Sequence, residues 1–129
     1  MAISWFFADE RSPVSQDVLA QVASHGAFVP SVWKLEVGNT LRSAVRRQRC
    51  DEAYELRCLE RLSKLQITTD TETTAHAWGR IRDLSVAYSL TAYDAAYVEL
   101  AQRRSHPLAT RDAAMAAAAK RLGLEALFD

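Results

Sequence analysis

The chain has 129 residues, a length that suits one domain with a single hydrophobic core. Its 16 basic and 16 acidic residues cancel, so net charge gives no argument for nucleic-acid binding, which would need a local basic patch. The apolar stretches at residues 3–8 and 113–119 are too short for a transmembrane helix of about 20 residues. The composition therefore indicates an ordinary globular protein.

The first half of the chain predicts three helices and one short strand. Ser12 and Pro13 suit a helix start, because serine caps and proline is tolerated in the first turn. The predicted elements are a helix from Ser12 to His25 and Gly26, a strand over residues 27–29 that stops at Pro30, a long helix capped by Ser31, and a third helix that begins at Asp51.

The second half alternates in the same way. The predicted elements are a β-prone stretch at 66–69, a helix from Asp70 or Thr71 to about Leu84, a helix from Thr91 to about Arg104, a strand over 106–110, a helix from about Arg111 to Leu122 that Gly123 ends, and a final strand over 124–128. Short strands that alternate with helices predict an α/β fold with a mostly parallel sheet. Functional sites in such folds form outside the carboxyl ends of the strands.

Two features of the composition bear on location and surface. The two cysteines form no Cys-x-x-Cys pair and the three histidines are scattered, so a structural zinc site is not expected. This cysteine usage suits a reducing cytosol, and we expect a cytoplasmic protein. A run of arginines lies towards the end of the predicted second helix: Arg42, Arg46, Arg47 and Arg49. On a helix they would spread over a broad face, which favours a solvated surface over a binding patch.

Three acidic residues lie at or near the starts of predicted helices. Asp94 stands in a pattern close to a capping box with Thr91, and Asp112 follows a predicted strand, where it or Thr110 would cap the next helix. Taken singly, each aspartate is explained by capping. Glu36 lies about one turn inside its helix, and capping does not explain it.

The surroundings of Glu36 are polar. Asn39 and Ser43 share one stripe of the helix with it, and an amphipathic helix with a solvated face is the plainer interpretation. Gly38 lies at a helix-interior position, which costs about 1 kcal/mol relative to alanine. We therefore expect another backbone or a ligand to approach closely there.

Considered together, Glu36, Asp94 and Asp112 predict a metal site. In a parallel sheet, their helix starts would open at one edge, and carboxylate oxygens there would bind a hard divalent cation. Such a cation activates water for attack on a phosphodiester.

The ordered set of motifs resembles the PIN-domain family, and within it the VapC-type toxins of bacterial toxin–antitoxin pairs. The resemblance is carried by VPSVWKLEVGN at 29–39, LTAYDAAY at 90–97, PLATRD at 107–112 and AKRLGL at 119–124. It implies a three-layer α/β/α fold with a short, mostly parallel central sheet and about six helices. It also implies that Glu36, Asp94 and Asp112 bind Mg²⁺ or Mn²⁺, supported by hydrogen bonds from Asn39 and Thr110.

The resemblance also implies a function. Such a protein would be a metal-dependent endoribonuclease and the toxin of a type II pair, with RNA as substrate and an antitoxin protein as partner. Members of the family begin with a hydrophobic strand that carries an aspartate. We expect one domain over residues 1–129 that lacks this strand, and a homodimer in which another chain fills the gap.

Two alternatives stay open. One is a catalytically impaired module of the same fold that acts by binding an antitoxin or by self-association. The other is a metal-dependent DNA nuclease. The aromatic residues Trp5, Phe6 and Phe7 would suit a partner-binding patch, although the core is the more frequent place for such side chains and is the favoured interpretation.

Overall fold

The computed structural model describes residues 1–129, which form two compact units. The first comprises Met1–Ala27 with Val32–Thr68, and the second comprises Phe28–Ser31 with Thr69–Asp129. Seven α-helices and four three-residue strands confirm the predicted α/β class, with one helix more than expected. No helix is both long enough and apolar enough to cross a membrane.

The first unit is helical. It contains two short 3-10 helices and three α-helices, at Ala2–Trp5, Ala8–Glu10, Pro13–His25 (α1), Trp33–Arg46 (α2) and Glu52–Ser63 (α3). The start of α1 is as predicted, since the Ser12 and Ser15 side chains each accept the other's backbone N–H at 3.0 Å. Gly26 ends α1 at φ +76°, where an added Cβ would lie 2.7 Å from the Gln66 carbonyl oxygen.

The other two helices of this unit differ in how they start: a side chain caps α3, and no side chain caps α2. Asp51 caps α3 as predicted, accepting the Tyr54 amide at 2.8 Å. The predicted Ser31 cap of α2 is wrong, because the cap position belongs to Val32, which makes no side-chain cap bond. The Ser31 amide instead donates to the Thr73 hydroxyl at 3.2 Å.

Aromatic side chains near the chain start lie in the interior. Trp5, Phe6 and Phe7 are all buried, which confirms the core interpretation. The Trp5 indole N–H donates to the Ser15 carbonyl at 2.9 Å, so its one polar atom is satisfied. On α2, Leu41 is fully buried.

The second unit carries the remaining helices. They are Thr73–His76 (α4), Arg80–Tyr88 (α5), Ala92–Arg104 (α6) and Ala113–Arg121 (α7). The prediction of one continuous helix from residue 70 to 84 is wrong, because the chain breaks between α4 and α5. Gly79, at φ −106° and ψ −108°, occupies the cap position of α5.

The strands pair in two sheets of two. Ala27–Val29 (β1) and Ile67–Thr69 (β2) form one, and Leu108–Thr110 (β3) and Ala126–Phe128 (β4) form the other. β3 and β4 run parallel, with Leu108 opposite Ala126 and Thr110 opposite Phe128. Along the chain, two residues separate the end of β3 from the start of α7.

The core of the second unit lies among α5, α6, α7 and β3. Its eleven buried residues include five alanines, all of them on α6 and α7, where small side chains permit close packing. Ala95 of α6 and Ala119 of α7 are both fully buried, and larger residues such as Leu84 and Val98 fill the space between the helices. The alanine-rich sequence of α7 is therefore a packing feature that holds Asp112 and its helix start against α6.

Candidate functional site

Asp94 and Asp112 each lie at a helix start in the second unit. Thr91 caps α6, and its hydroxyl accepts the Asp94 amide at 3.0 Å, so Asp94 lies in the first turn with its carboxylate unused for capping. Asp112 is itself the cap of α7, where its Oδ1 accepts the Met115 amide at 2.9 Å. The capping interpretation thus explains Asp112 and leaves Asp94 without a capping role.

The two carboxylates interact electrostatically. Burial raises the pKa of Asp94 above its ordinary value, and the nearby Asp112 carboxylate raises it further. The hydrogen bond with Thr91 acts in the opposite direction and is the smallest of these effects. The fold therefore brings two of the three predicted ligands together in a place where the ionised form of Asp94 is disfavoured.

Thr110, predicted to support the site, ends β3 beneath Asp112. Its hydroxyl accepts the Asp112 amide at 3.0 Å and contacts the Met115 sulfur at 3.7 Å. The Thr110 side chain is buried, and it holds the Asp112 backbone through the amide. Thr110 therefore orients Asp112 through its backbone, and its predicted hydrogen bond to a metal-bound water stays a prediction.

Glu36 and Asn39 belong to the first unit. Glu36 is half-buried in the first turn of α2, and its carbonyl accepts the Thr40 hydroxyl at 2.9 Å. Asn39 is exposed. A Cβ added to Gly38 would meet nothing within 4 Å, so the expected close approach of another backbone is wrong and the space beside the helix is open.

Across the whole chain, no group of three or more His, Cys, Asp or Glu side chains is arranged to hold a metal ion. Of the three predicted ligands, Asp94 and Asp112 interact with each other. That Glu36 joins them as a third ligand stays a prediction.

An ion-pair cluster in the second unit was missed at the sequence level. Arg103 on α6 donates to Asp70 at 2.7 Å and to Glu99 at 2.9 Å, and it lies 3.4 Å from Glu72. The Asp70 carboxylate is fully buried, and the Arg103 hydrogen bond lowers its pKa to about 2. The spacing of Glu99 and Arg103, four residues apart on one helix, was the available signal.

The described features are those of an α/β protein with an acidic pair at two helix starts beside a parallel strand. The family model described as "PIN domain" matches residues 1–121, and the chain belongs to the PIN-domain family. This family consists in general of metal-dependent nucleases. No curated protein matches the chain.

Proposed function

We propose that this protein is a metal-dependent endoribonuclease that hydrolyses RNA phosphodiester bonds. Membership of the PIN-domain family supports nuclease chemistry in general. The observation that carries the proposal is the pair Asp94 and Asp112, two carboxylates kept close enough for one to raise the pKa of the other. Asp94 is partly buried and Asp112 is exposed beside it, and acids whose pKa is perturbed in this way are candidates for functional sites.

The pair fits a magnesium or manganese ion. Mg²⁺ prefers oxygen ligands and is usually held by one or two carboxylates, with water and substrate phosphate completing its shell. Asp94 and Asp112 supply that number, and Glu36 is proposed as a third ligand, direct or through water. Binding a cation would relieve the repulsion between the two aspartates, so the ionised pair is favoured when the ion is present.

Residues of the protein orient the proposed metal ligands. The Met115 amide fixes one oxygen of Asp112, and Thr110 fixes its backbone. Both aspartates lie at helix N-termini, where the helix dipole opposes the burial and the repulsion that disfavour the ionised form of Asp94. Asn39 is proposed to support Glu36 from the next turn of α2. When bound, the ion would lower the pKa of a water molecule and neutralise charge on the phosphate.

The finer assignment follows the motif resemblance. The ordered segments at 29–39, 90–97 and 107–112 are similar to those of VapC-type toxins. We accordingly propose RNA as substrate, a cytoplasmic toxin of a type II pair as the role, an antitoxin protein as partner and a homodimer as the working form. The alternative is a catalytically impaired module that acts through binding, which the lack of a gathered three-ligand group favours.

The test is RNA cleavage with Mg²⁺ or Mn²⁺ by the purified protein and by Asp94→Asn. We expect Asp94→Asn to lose more than about a hundredfold in rate, because even the outer-shell partners of a metal cost 10–100-fold when removed. Asp83→Asn, the same change at an exposed position of the second unit, should cleave like the unaltered protein.

The competing functions give different results. Equal cleavage by the unaltered protein and Asp94→Asn would exclude the proposed site. Calorimetry with Mn²⁺ separates the other two outcomes when no cleavage occurs. Metal binding that Asp94→Asn abolishes would leave a metal site without nuclease activity, and no metal binding at all would establish the non-catalytic module.

A further inference from the structure

A shallow cleft in the first unit combines positive charge with aromatic rings. Its volume is about 500 Å³, and it lies where the second 3-10 helix meets the start of α3. Among the residues that line it are Phe7, Arg11, Arg49, Tyr54 and Arg57. This volume falls within the range of roughly 300–1,000 Å³ that is typical of small-ligand sites.

The charges of the cleft are unevenly balanced. Arg49 is paired with Asp9 at 3.3 Å and with Glu10 at 3.0 Å. Arg11 and Arg57 also line the cleft, and neither has a carboxylate partner within salt-bridge distance. In a chain whose formal net charge is zero, two arginines without such partners in one cleft make a local positive site for an anion.

The acid that lines the cleft does not neutralise these arginines. The Asp51 carboxylate caps α3 by accepting the Tyr54 amide at 2.8 Å. The ion pairs of Arg49 are exposed, with 39% of the Arg49 side chain accessible to solvent, and pairs of this kind contribute little stability. An incoming phosphate can therefore compete for Arg49 as well.

Two of the guanidinium groups lie close to aromatic rings. Arg49 lies 4.2 Å over the Phe7 ring, and Arg57 lies 5.6 Å over the Tyr54 ring. The two rings contact each other edge to face, with their centroids 6.0 Å apart, so the two cation–ring pairs are neighbours in the cleft. The Tyr54 hydroxyl donates to the Phe6 carbonyl, which fixes that ring in place.

A guanidinium that rests on a ring keeps its other face free for stacking. Unpaired nucleobases stack on aromatic rings and on arginine planes, whereas the bases of a duplex are already stacked on one another. A carboxylate ligand would use only the charge of the arginines and would gain nothing from these flat surfaces. The combination therefore fits a nucleotide of a single strand better than it fits an acidic peptide.

We propose that this cleft binds one nucleotide of single-stranded RNA, with the phosphate held by Arg11 and Arg57 and the base stacked on Arg49. The identity of the ligand as RNA rests on the proposed function. The cleft is a binding site in the first unit and includes none of the proposed metal ligands. Its role is to hold the substrate strand, and it is independent of the cleavage chemistry.

The experiment is fluorescence anisotropy with a labelled single-stranded RNA in EDTA, which removes metal and prevents cleavage. The double variant Arg11→Gln/Arg57→Gln should weaken binding about tenfold and reduce the salt dependence by about one phosphate contact. The matched control is Arg46→Gln/Arg47→Gln, which removes the same charge from exposed positions of the same unit. It should change the affinity by less than about twofold.

Two further measurements test the roles of the planar group and of the aromatic rings. Arg57→Lys keeps the charge and loses the planar group, so it should retain the salt dependence while losing part of the affinity. RNA that contains 4-thiouridine should form photo-crosslinks to peptides that contain Phe7 or Tyr54 in the unaltered protein. Circular dichroism confirms that each variant is folded.

Failure of this inference is distinct from failure of the proposed function. In EDTA the protein cannot cleave RNA, so the affinity of the cleft variant tests this inference whether or not the protein cleaves RNA when metal is present. Equal losses in the cleft variant and the control would show that the binding is diffuse charge attraction and would overturn the inference. Tighter binding of an acidic peptide than of RNA, lost in the cleft variant, would overturn it in favour of a protein partner.

Discussion

The buried carboxylate of Asp70 is the point at which stability can be perturbed most informatively. Asp70 accepts hydrogen bonds from Arg103 at 2.7 Å and from the Thr73 hydroxyl at 2.8 Å, and its side chain is fully buried. These bonds favour the ionised form, and the pKa falls from 3.8 to about 2. Asp70→Asn keeps the shape of the side chain and removes its charge.

The size of the effect follows from the pKa. Each pKa unit corresponds to about 1.4 kcal/mol, so the fall from 3.8 to about 2 contributes roughly 2 kcal/mol to the free energy of unfolding. Because the folded pKa lies below the unfolded one, this contribution is complete above pH 3.8 and is lost as the pH falls towards 2. Asp70→Asn should therefore be about 2 kcal/mol less stable at pH 7, and the deficit should shrink below pH 4.

The assay is urea unfolding of the unaltered protein and Asp70→Asn at a series of pH values from 7 to 3. Asp83→Asn is the control, because that aspartate is exposed and its loss should change stability by less than about 0.5 kcal/mol. The reasoning is refuted if Asp70→Asn matches the unaltered protein at pH 7. It is also refuted if a deficit persists unchanged at pH 3, since the loss would then have a cause other than charge.

Two further predictions concern single side chains. Asp112→Asn should lower the pKa of Asp94 towards its ordinary value, because the neighbouring charge disappears while asparagine still caps α7. A carbon-detected NMR titration of the metal-free protein measures this, and an unchanged Asp94 pKa would contradict the coupling. Ser12→Ala should lower the free energy of unfolding by about 1 kcal/mol, since the capping box of α1 is lost. Urea unfolding tests it, with Ser24→Ala as the control, and equal stability would show that Pro13 alone suffices to start the helix.

Helix starts were predictable wherever one side chain decides them locally. Ser12, Asp51, Thr91 and Asp112 each accept a backbone amide three residues further along, so the whole interaction lies within one short segment. Such a motif is recognisable in the sequence, because the backbone amide that the capping side chain accepts lies three residues further along in each case. The four strands were also predicted, because three of the short runs lie between helix signals and the fourth follows the glycine that ends α7.

Features that depend on distant partners were not predictable. The Ser31 amide bonds to Thr73, 42 residues away, and α2 starts one residue later without a side-chain cap. Arg103 bonds to Asp70, 33 residues away, and nothing in the local sequence of either residue indicates this pair. In both cases the fold supplies a partner that propensity and spacing do not reveal.

Part of the candidate site is likewise predictable from the sequence, and part of it depends on the fold. The types and order of Glu36, Asp94 and Asp112 can be derived from the sequence, because acids at helix starts follow from spacing and from the motif resemblance. The burial of Asp94 and the repulsion from Asp112 require coordinates. The arginine run at 42–49 was predicted to be solvated surface, although Arg49 of that run lines the cleft with two arginines from other segments.

The pKa values of Asp70 and Asp94 shift in opposite directions, which agrees with a structural role for Asp70 and with the ligand role proposed for Asp94. The fold lowers the pKa of Asp70, so the charge on that residue stabilises the folded state at neutral pH. It raises the pKa of Asp94, so ionisation of that residue opposes folding at neutral pH, and the opposition disappears as the pH falls below the raised value. The Asp94→Asn variant should therefore lose cleavage while remaining at least as stable as the unaltered protein, whereas Asp70→Asn should lose stability while the Asp94 and Asp112 pair remains intact.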